Sequence, residues 1–324
     1  MYRRIAVPLD GTKTSQTALH WAVTIARRAD CPIELVTVAY PPVHGSELYG
    51  AAVIDPADVD RMLREAEQRL QGLAKEIEGL GVRATATVLE GSVPSTLADH
   101  LHDTASDLVV MTTHDRGRLE QLLLGSVSHT VIRHVHVPVL LVREGHDEPP
   151  LTKPATLDHM LVSLDGSPFG ERILPHAATL AEVMDAEVTL LGVVEPMLAI
   201  AAATPGLGAP PDMPHALPGP VDYGTDEERT RLQSRLLEQT AEPLRARQLT
   251  VRVDVVVDGQ TAHAIVDYAK RHDVGLVAMT THGRGALQRL VSGSVSEAVL
   301  RGTTTPMLMY RPDGASPPGN NPAA

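Results

Sequence analysis

Short aliphatic runs alternate with longer segments of helical period along almost the whole chain. Ile5 to Leu9, Ile33 to Ala39, Ala84 to Leu89, Leu108 to Thr112 and Val137 to Val142 are apolar at nearly every position. That is the pattern of strands buried on both faces. Between them, SQTALHWAVTIARRA (residues 15–29) and VDRMLREAEQRLQGLAKEI (residues 59–77) space their apolar residues three and four apart, which predicts amphipathic helices. Strand and helix in alternation predict right-handed βαβ units and a parallel sheet with helices on both faces. Ligands of such sheets gather at the carboxyl ends of strands, near the point where strand order reverses.

The pattern occurs twice. IAVPLDGT near the start matches LVSLDGS, with Asp10 on Asp165, and IELVTVAYP matches VTLLGVVEP with Pro41 on Pro196 at the same offset of 155. Further on, LVVMTTHDRGRLEQLLLGSVS matches LVAMTTHGRGALQRLVSGSVS, but Gly125 falls on Gly293 at an offset of 168. The second copy therefore carries a net insertion of 13 residues, placed in the Pro- and Gly-rich stretch at about 197–224. The expected organisation is one domain at 1–145, a linker at 146–157, a second domain at 158–312 and a disordered tail at 313–324.

Composition narrows the reading. A chain of 324 residues accommodates two cores, and aromatics at 2% against 43% hydrophobic residues mean that aliphatic side chains must fill them. The net charge of -12 argues against a nucleic-acid partner, which would call for clustered Lys and Arg. Cys31 alone makes no internal disulfide, and MYRRIAVPLDG lacks the apolar stretch of a signal peptide or membrane span, so a cytoplasmic protein with no membrane partner is expected.

Two loops in each copy are rich in small residues at predicted strand ends: LDGT or LDGS after the first strand, and TTHDRG or TTHGRG after the fourth, leading into GSVS. Glycines let backbone N–H groups approach a ligand, and serines add hydroxyl donors; at a helix N-terminus these converge on an anion such as phosphate. Taken singly, each loop is equally well read as a turn and a helix cap.

The combination THxRGxLxxLLxGSVS, followed by P(V/M)L and a basic residue (Arg143 or Arg311), strongly resembles the signature of the universal stress protein family. The resemblance covers both repeats and implies two adenine nucleotide alpha hydrolase-like, Rossmann-like domains, each a five-stranded parallel sheet. It also implies ATP, with Mg2+ as a candidate companion, across the carboxyl edge. In ATP-binding members the signature is Gly, two residues, Gly, nine residues, then Gly and Ser or Thr. The second copy keeps it as Thr280, Gly283, Gly293 and Ser294, the first Gly being replaced. The first copy has Thr112, Asp115, Gly125 and Ser126. A carboxylate about 4 Å from a phosphate charge costs about 1 to 4 kcal/mol, so Asp115 makes the first site the weaker one. Alternatively Arg116 compensates for it, or Asp115 helps to hold a divalent metal.

On the resemblance, Asp165 ends the first strand at the nucleotide beside Ser163, Gly166 and Ser167, Val193 flanks the adenine and Gly259 borders the pocket. Thr280 lies near the ribose, while Gly283, Gly293, Ser294 and Ser296 hold phosphates; Met279 and Val295, next to them, are further nucleotide-binding candidates. Their counterparts are Asp10, Gly11, Val38, Gly91, Thr112, Gly125 and Ser126. Asp165 also suits the N-cap of the next helix, and the two roles can coexist. His282 and Arg284 offer charge to phosphate, or the histidine simply closes its loop. The resemblance also implies that PVLLVR and PMLMYR pair antiparallel, making an internal pseudo-dimer; further association into a homodimer stays open.

Other signals are set aside. His134 and His136 are two candidate ligands where zinc wants three or four, and their counterparts are Gly302 and Thr304. GTKTS lacks the glycines of a P-loop, and GxSxG is missing. EAEQRLQGLAKEIEGL reads as a solvated amphipathic helix. No general base is evident for an attacking water, so the leading expectation is an ATP-binding regulator of the stress response. A slow ATPase or adenylyl-transferring enzyme, and an interaction module with empty pockets, are the competing classes.

Overall fold

The computed structural model describes residues 1–39, 44–45, 52–53, 56–104, 106–113, 126–143, 150–196, 225–281 and 295–312. In the first half the order is β1 (Ile5–Pro8), α1 (Thr17–Ala29), β2 (Ile33–Ala39), β3 (His44–Gly45), β4 (Ala52–Val53), α2 (Pro56–Gly79), β5 (Ala84–Glu90), α3 (Val93–Asp103), β6 (Leu108–Thr113), α4 (Ser126–His134) and β7 (Val139–Arg143). The second half continues with β8 (His159–Leu164), α5 (Leu174–Met184), β9 (Glu187–Val194), α6 (Asp226–Arg245), β10 (Val251–Val257), α7 (Thr261–Arg271), β11 (Leu276–Thr280), α8 (Val295–Gly302) and β12 (Met307–Tyr310). The last predicted strand of the first copy starts two residues late, at Val139, because Val137 and Pro138 precede the ladder. The two-residue strands β3 and β4 pair antiparallel with each other and were not expected.

Both halves form parallel five-stranded sheets, ordered β5-β2-β1-β6-β7 and β10-β9-β8-β11-β12. The chain reverses strand order between β1 and β6, and again between β8 and β11, so each half has a switch point of the kind at which α/β sheets bind ligands. β7 and β12 pair antiparallel, with Leu140 opposite Leu308, and merge the sheets into one of ten strands. What would be two aliphatic edges thus cover each other. Because this junction is antiparallel, the carboxyl edges of the two halves face opposite ways.

Alternate strand residues enter opposite cores, as the pleat requires. Ile5, Val7, Leu108 and Val110 join α1, α2, α5 and α6 on one face. Ala6, Val109 and Met111 join α3, α4, α7 and α8 on the other. Each core is continuous across both halves. The chain entering the second half is packed as well: Ala155 is buried, and its N–H donates to Thr24 Oγ1 of α1 at 2.8 Å. Arg28 of α1 donates to the carbonyls of Val183 and Met184 at the end of α5, at 3.3 and 2.8 Å.

Candidate functional site

The carboxyl edge of the second half begins where β8 runs into Asp165. Its Oδ1 accepts from the Ser167 N–H at 2.9 Å and the Ser167 hydroxyl at 2.6 Å, and Ser167 Oγ then accepts from the Gly170 N–H at 2.9 Å. Asp165 therefore closes an Asx turn and does not cap the next helix; neither the 3-10 turn at Gly170–Ile173 nor α5 has a side-chain cap. Gly166 supplies the left-handed backbone, φ +71°, that the turn requires. The first half repeats the device: Asp10 Oδ1 accepts from Thr12 N–H at 2.9 Å and Thr12 Oγ1 at 2.6 Å. Ser167 is buried and Thr12 exposed, so the second turn is the more enclosed.

The other described candidates collect around these turns, because every strand of a half ends on the same edge. Val38 and Val193 are partly buried against the second core. Thr37 Oγ1 donates to the Leu9 carbonyl at 2.7 Å, joining β2 to the Asp10 turn. Gly91 follows β5 with φ +139° and donates to the Ala39 carbonyl at 3.3 Å; at the matching edge, Asp258 N–H donates to the Val194 carbonyl just before Gly259. Thr112 is buried, accepts from Ala18 N–H at 3.0 Å and donates to the Ser15 carbonyl at 3.3 Å, pinning α1 to β6. Its hydroxyl thus has a structural task. Ser163 faces Leu191 across β8 and β9. Met279 belongs to the second core. Thr280 is buried at the end of β11. Ser296 is buried and donates to the Thr281 carbonyl at 3.2 Å, which seats the first turn of α8 over the end of β11, while Val295 beside it is exposed. Ser126 is the first residue of α4, and Ser128, the counterpart of Ser296, is buried.

Gly125, His282, Gly283, Arg284, Gly293 and Ser294 lie outside the described residues, as do His114, Asp115 and Arg116. What is described is the frame that receives them: α4 starts at the Ser of its GS, Ser126, and α8 at Val295, directly after its own GS.

Two side chains at these edges escaped the sequence reading. Gln233 of α6 covers Gly166 and Gly192; a Cβ built on Gly192 would stand 2.8 Å from Gln233 Cγ. In the first half the guanidinium of Arg69, on the helix read as merely solvated, lies over Gly11, whose built Cβ would stand 3.0 Å from Arg69 Nη2. The signal for Gln233 is Gly192 itself, since glycine inside a strand marks a close approach. Arg143, the basic end of the motif, crosses to the other half and donates to the Leu300 carbonyl at the end of α8.

A cleft of about 470 Å³ between α5 and α6 touches this edge only at Gly166. Among the described residues no helix is long and apolar enough to cross a membrane, and no group of three or more His, Cys, Asp or Glu could hold a metal.

The chain resembles whole proteins. A crystal structure of a universal stress protein from Archaeoglobus fulgidus DSM 4304 matches with a TM-score of 0.66 at 19% identity, covering 97% of each chain. At that identity the likeness speaks for the fold. A universal stress protein of Mycobacterium tuberculosis (strain ATCC 25618 / H37Rv) is 28% identical over 323 residues, which is 95% of this chain and 94% of the relative. Another from Mycolicibacterium smegmatis is 28% identical over 313 residues, 95% of this chain and 97% of the relative. The model of the Universal stress protein family matches residues 1–143 and again 156–311. With two matched segments that between them span nearly the whole chain, the protein belongs to the universal stress protein family.

Proposed function

We propose that the protein binds an adenine nucleotide, ATP with Mg2+, at the carboxyl edge of its second half, and that occupancy regulates a response to stress in the cytoplasm. What supports the reading is the run Gly283, Gly293, Ser294, kept in sequence and leading straight into α8, on the half whose first strand ends in the Asp165 turn. A helix start with clustered backbone donors suits phosphate. In the first half the same frame carries Asp115 at the position of Gly283, which opposes an anion. The motif read in sequence supplies donors and names no general base, which favours retention of nucleotide over its turnover.

Calorimetric titration with ATP and magnesium tests the reading, with cAMP, the ligand of one solved universal stress protein, as the competing ligand. One site per chain is expected, lost in Gly283→Asp, with a second site gained in Asp115→Gly. Absence of heat in the wild type refutes nucleotide binding and favours an interaction module, the reading that Asp115 already suggests for the first half. Turnover of ATP at ordinary enzyme rates would refute a purely regulatory role.

A further inference from the structure

The first turn of α8 contains an acid, Glu297, two residues after the start of the helix. With no ligand present, an acid there is favourable, because the helix N-terminus is its positive end. With a phosphate bound at that end, the same carboxylate opposes it. The first half has His129 at the matching position and so lacks this acid.

Among the described residues two arginines face Glu297. Arg301, one turn along α8, has Nη1 at 3.8 Å from Glu297 Oε2. Arg133 comes from α4 of the first half, and its Nη2 donates to Glu297 Oε1 at 3.2 Å. The topology makes this meeting necessary. α4 starts at the carboxyl edge of its own half and crosses to the amino edge. The antiparallel β7–β12 junction brings that edge level with the carboxyl edge of the second half. Ser296, next to Glu297, is seated on Thr281 by its hydrogen bond, which fixes the first turn of α8 over the end of β11.

We infer that Arg133 of the first half is a positioning residue for the anion site of the second half, acting by neutralising Glu297. This rests on the nucleotide reading above. The second site is then complete only when the first half is packed against it, and the first half contributes to binding whether or not its own pocket is filled.

A double-mutant cycle in the full-length protein reads this, with ATP and magnesium as the probe and calorimetry at about 0.02 M and about 0.5 M salt. The Arg133–Glu297 pair is half exposed, so Arg133→Ala should weaken ATP by about two- to fivefold at low salt. Arg133→Glu should weaken it by about tenfold. Both effects should shrink at high salt. In the Glu297→Gln background, Arg133→Ala should change affinity by less than about 1.5-fold, because the charge it balances is gone. Thermal unfolding of each variant shows whether the fold is kept. Wild-type protein that binds no ATP overturns the nucleotide reading and this inference with it. ATP binding indifferent to Arg133, or equally sensitive in both backgrounds, overturns this inference alone.

Discussion

Removal of one carboxylate, Asp165→Ala, tests whether the Asx turn is the anchor of the second site. Truncation takes the acceptor from two donors on Ser167, at 2.9 and 2.6 Å. Ser167 is 1% exposed, so its N–H and hydroxyl lose their acceptor inside the fold. A buried polar group left unsatisfied costs about 1–3 kcal/mol. Asp165 itself is exposed and its departure admits water, which sets the total near the lower end, about 2 kcal/mol. Because the sheet and both cores run through the junction, the cooperative unit is the whole chain, and the midpoint falls by about 3 °C. Asp165→Asn keeps Oδ1 as an acceptor and should cost less than half as much. Asp10→Ala removes the same pair of bonds from Thr12, but Thr12 is exposed and water replaces them, so about 1 kcal/mol is expected. Urea unfolding of the three variants gives the order. A loss below about 0.5 kcal/mol in Asp165→Ala, or Asn as damaging as Ala, would refute the turn as anchor.

Three further outcomes follow from local geometry. Gly91→Ala places a Cβ 2.5 Å from Thr96 Oγ1 at φ +139° and should destabilise the first half by about 2 kcal/mol, partly relieved by Thr96→Ala, as read by urea midpoints. Burial, with help from Asp107, pushes the Cys31 thiol up to about 11; native protein should resist iodoacetamide at pH 8 until urea exposes the thiol. The neutral thiol is the favoured form in the fold, so its stabilisation is present below pH 9 and lost as pH climbs toward about 11. Burial pushes His176 below its ordinary value of 6.5, so the unfolded chain takes up the proton first and stability drains away as pH falls below 6.5. His176→Phe, which keeps a ring against Tyr310 at the 4.2 Å spacing now seen, should flatten the unfolding midpoint between pH 7 and 5.5.

The regular frame was legible because it is written locally. Strands such as Leu108–Thr113 are buried at every residue and therefore read as unbroken aliphatic runs. The antiparallel junction followed from the resemblance of two edge motifs. The pair His44–Gly45 and Ala52–Val53 was not legible, because two residues cannot display a period. Nor was the contact of Arg69 with Gly11, since both residues have blander local explanations, a solvated helix face and a turn. Arg143 was legible as part of a motif while its partner was not: nothing near it in sequence points to Leu300, 157 residues away.

These long contacts alter how a duplicated chain should be understood. Two copies joined by a flexible tether would each keep their own core, and a change in one would leave the other alone. Here the ten-stranded sheet and both cores run through the junction. The opposed carboxyl edges keep the two candidate sites apart, so they cannot share a ligand. The same opposition places the far end of each half's last helix beside the other half's carboxyl edge, as Arg133 and Glu297 show. If Arg133 serves the second site as inferred above, duplication permits each copy to specialise: the first carries Asp115 in its phosphate motif and is still retained, because its helix α4 brings Arg133 to the neighbour.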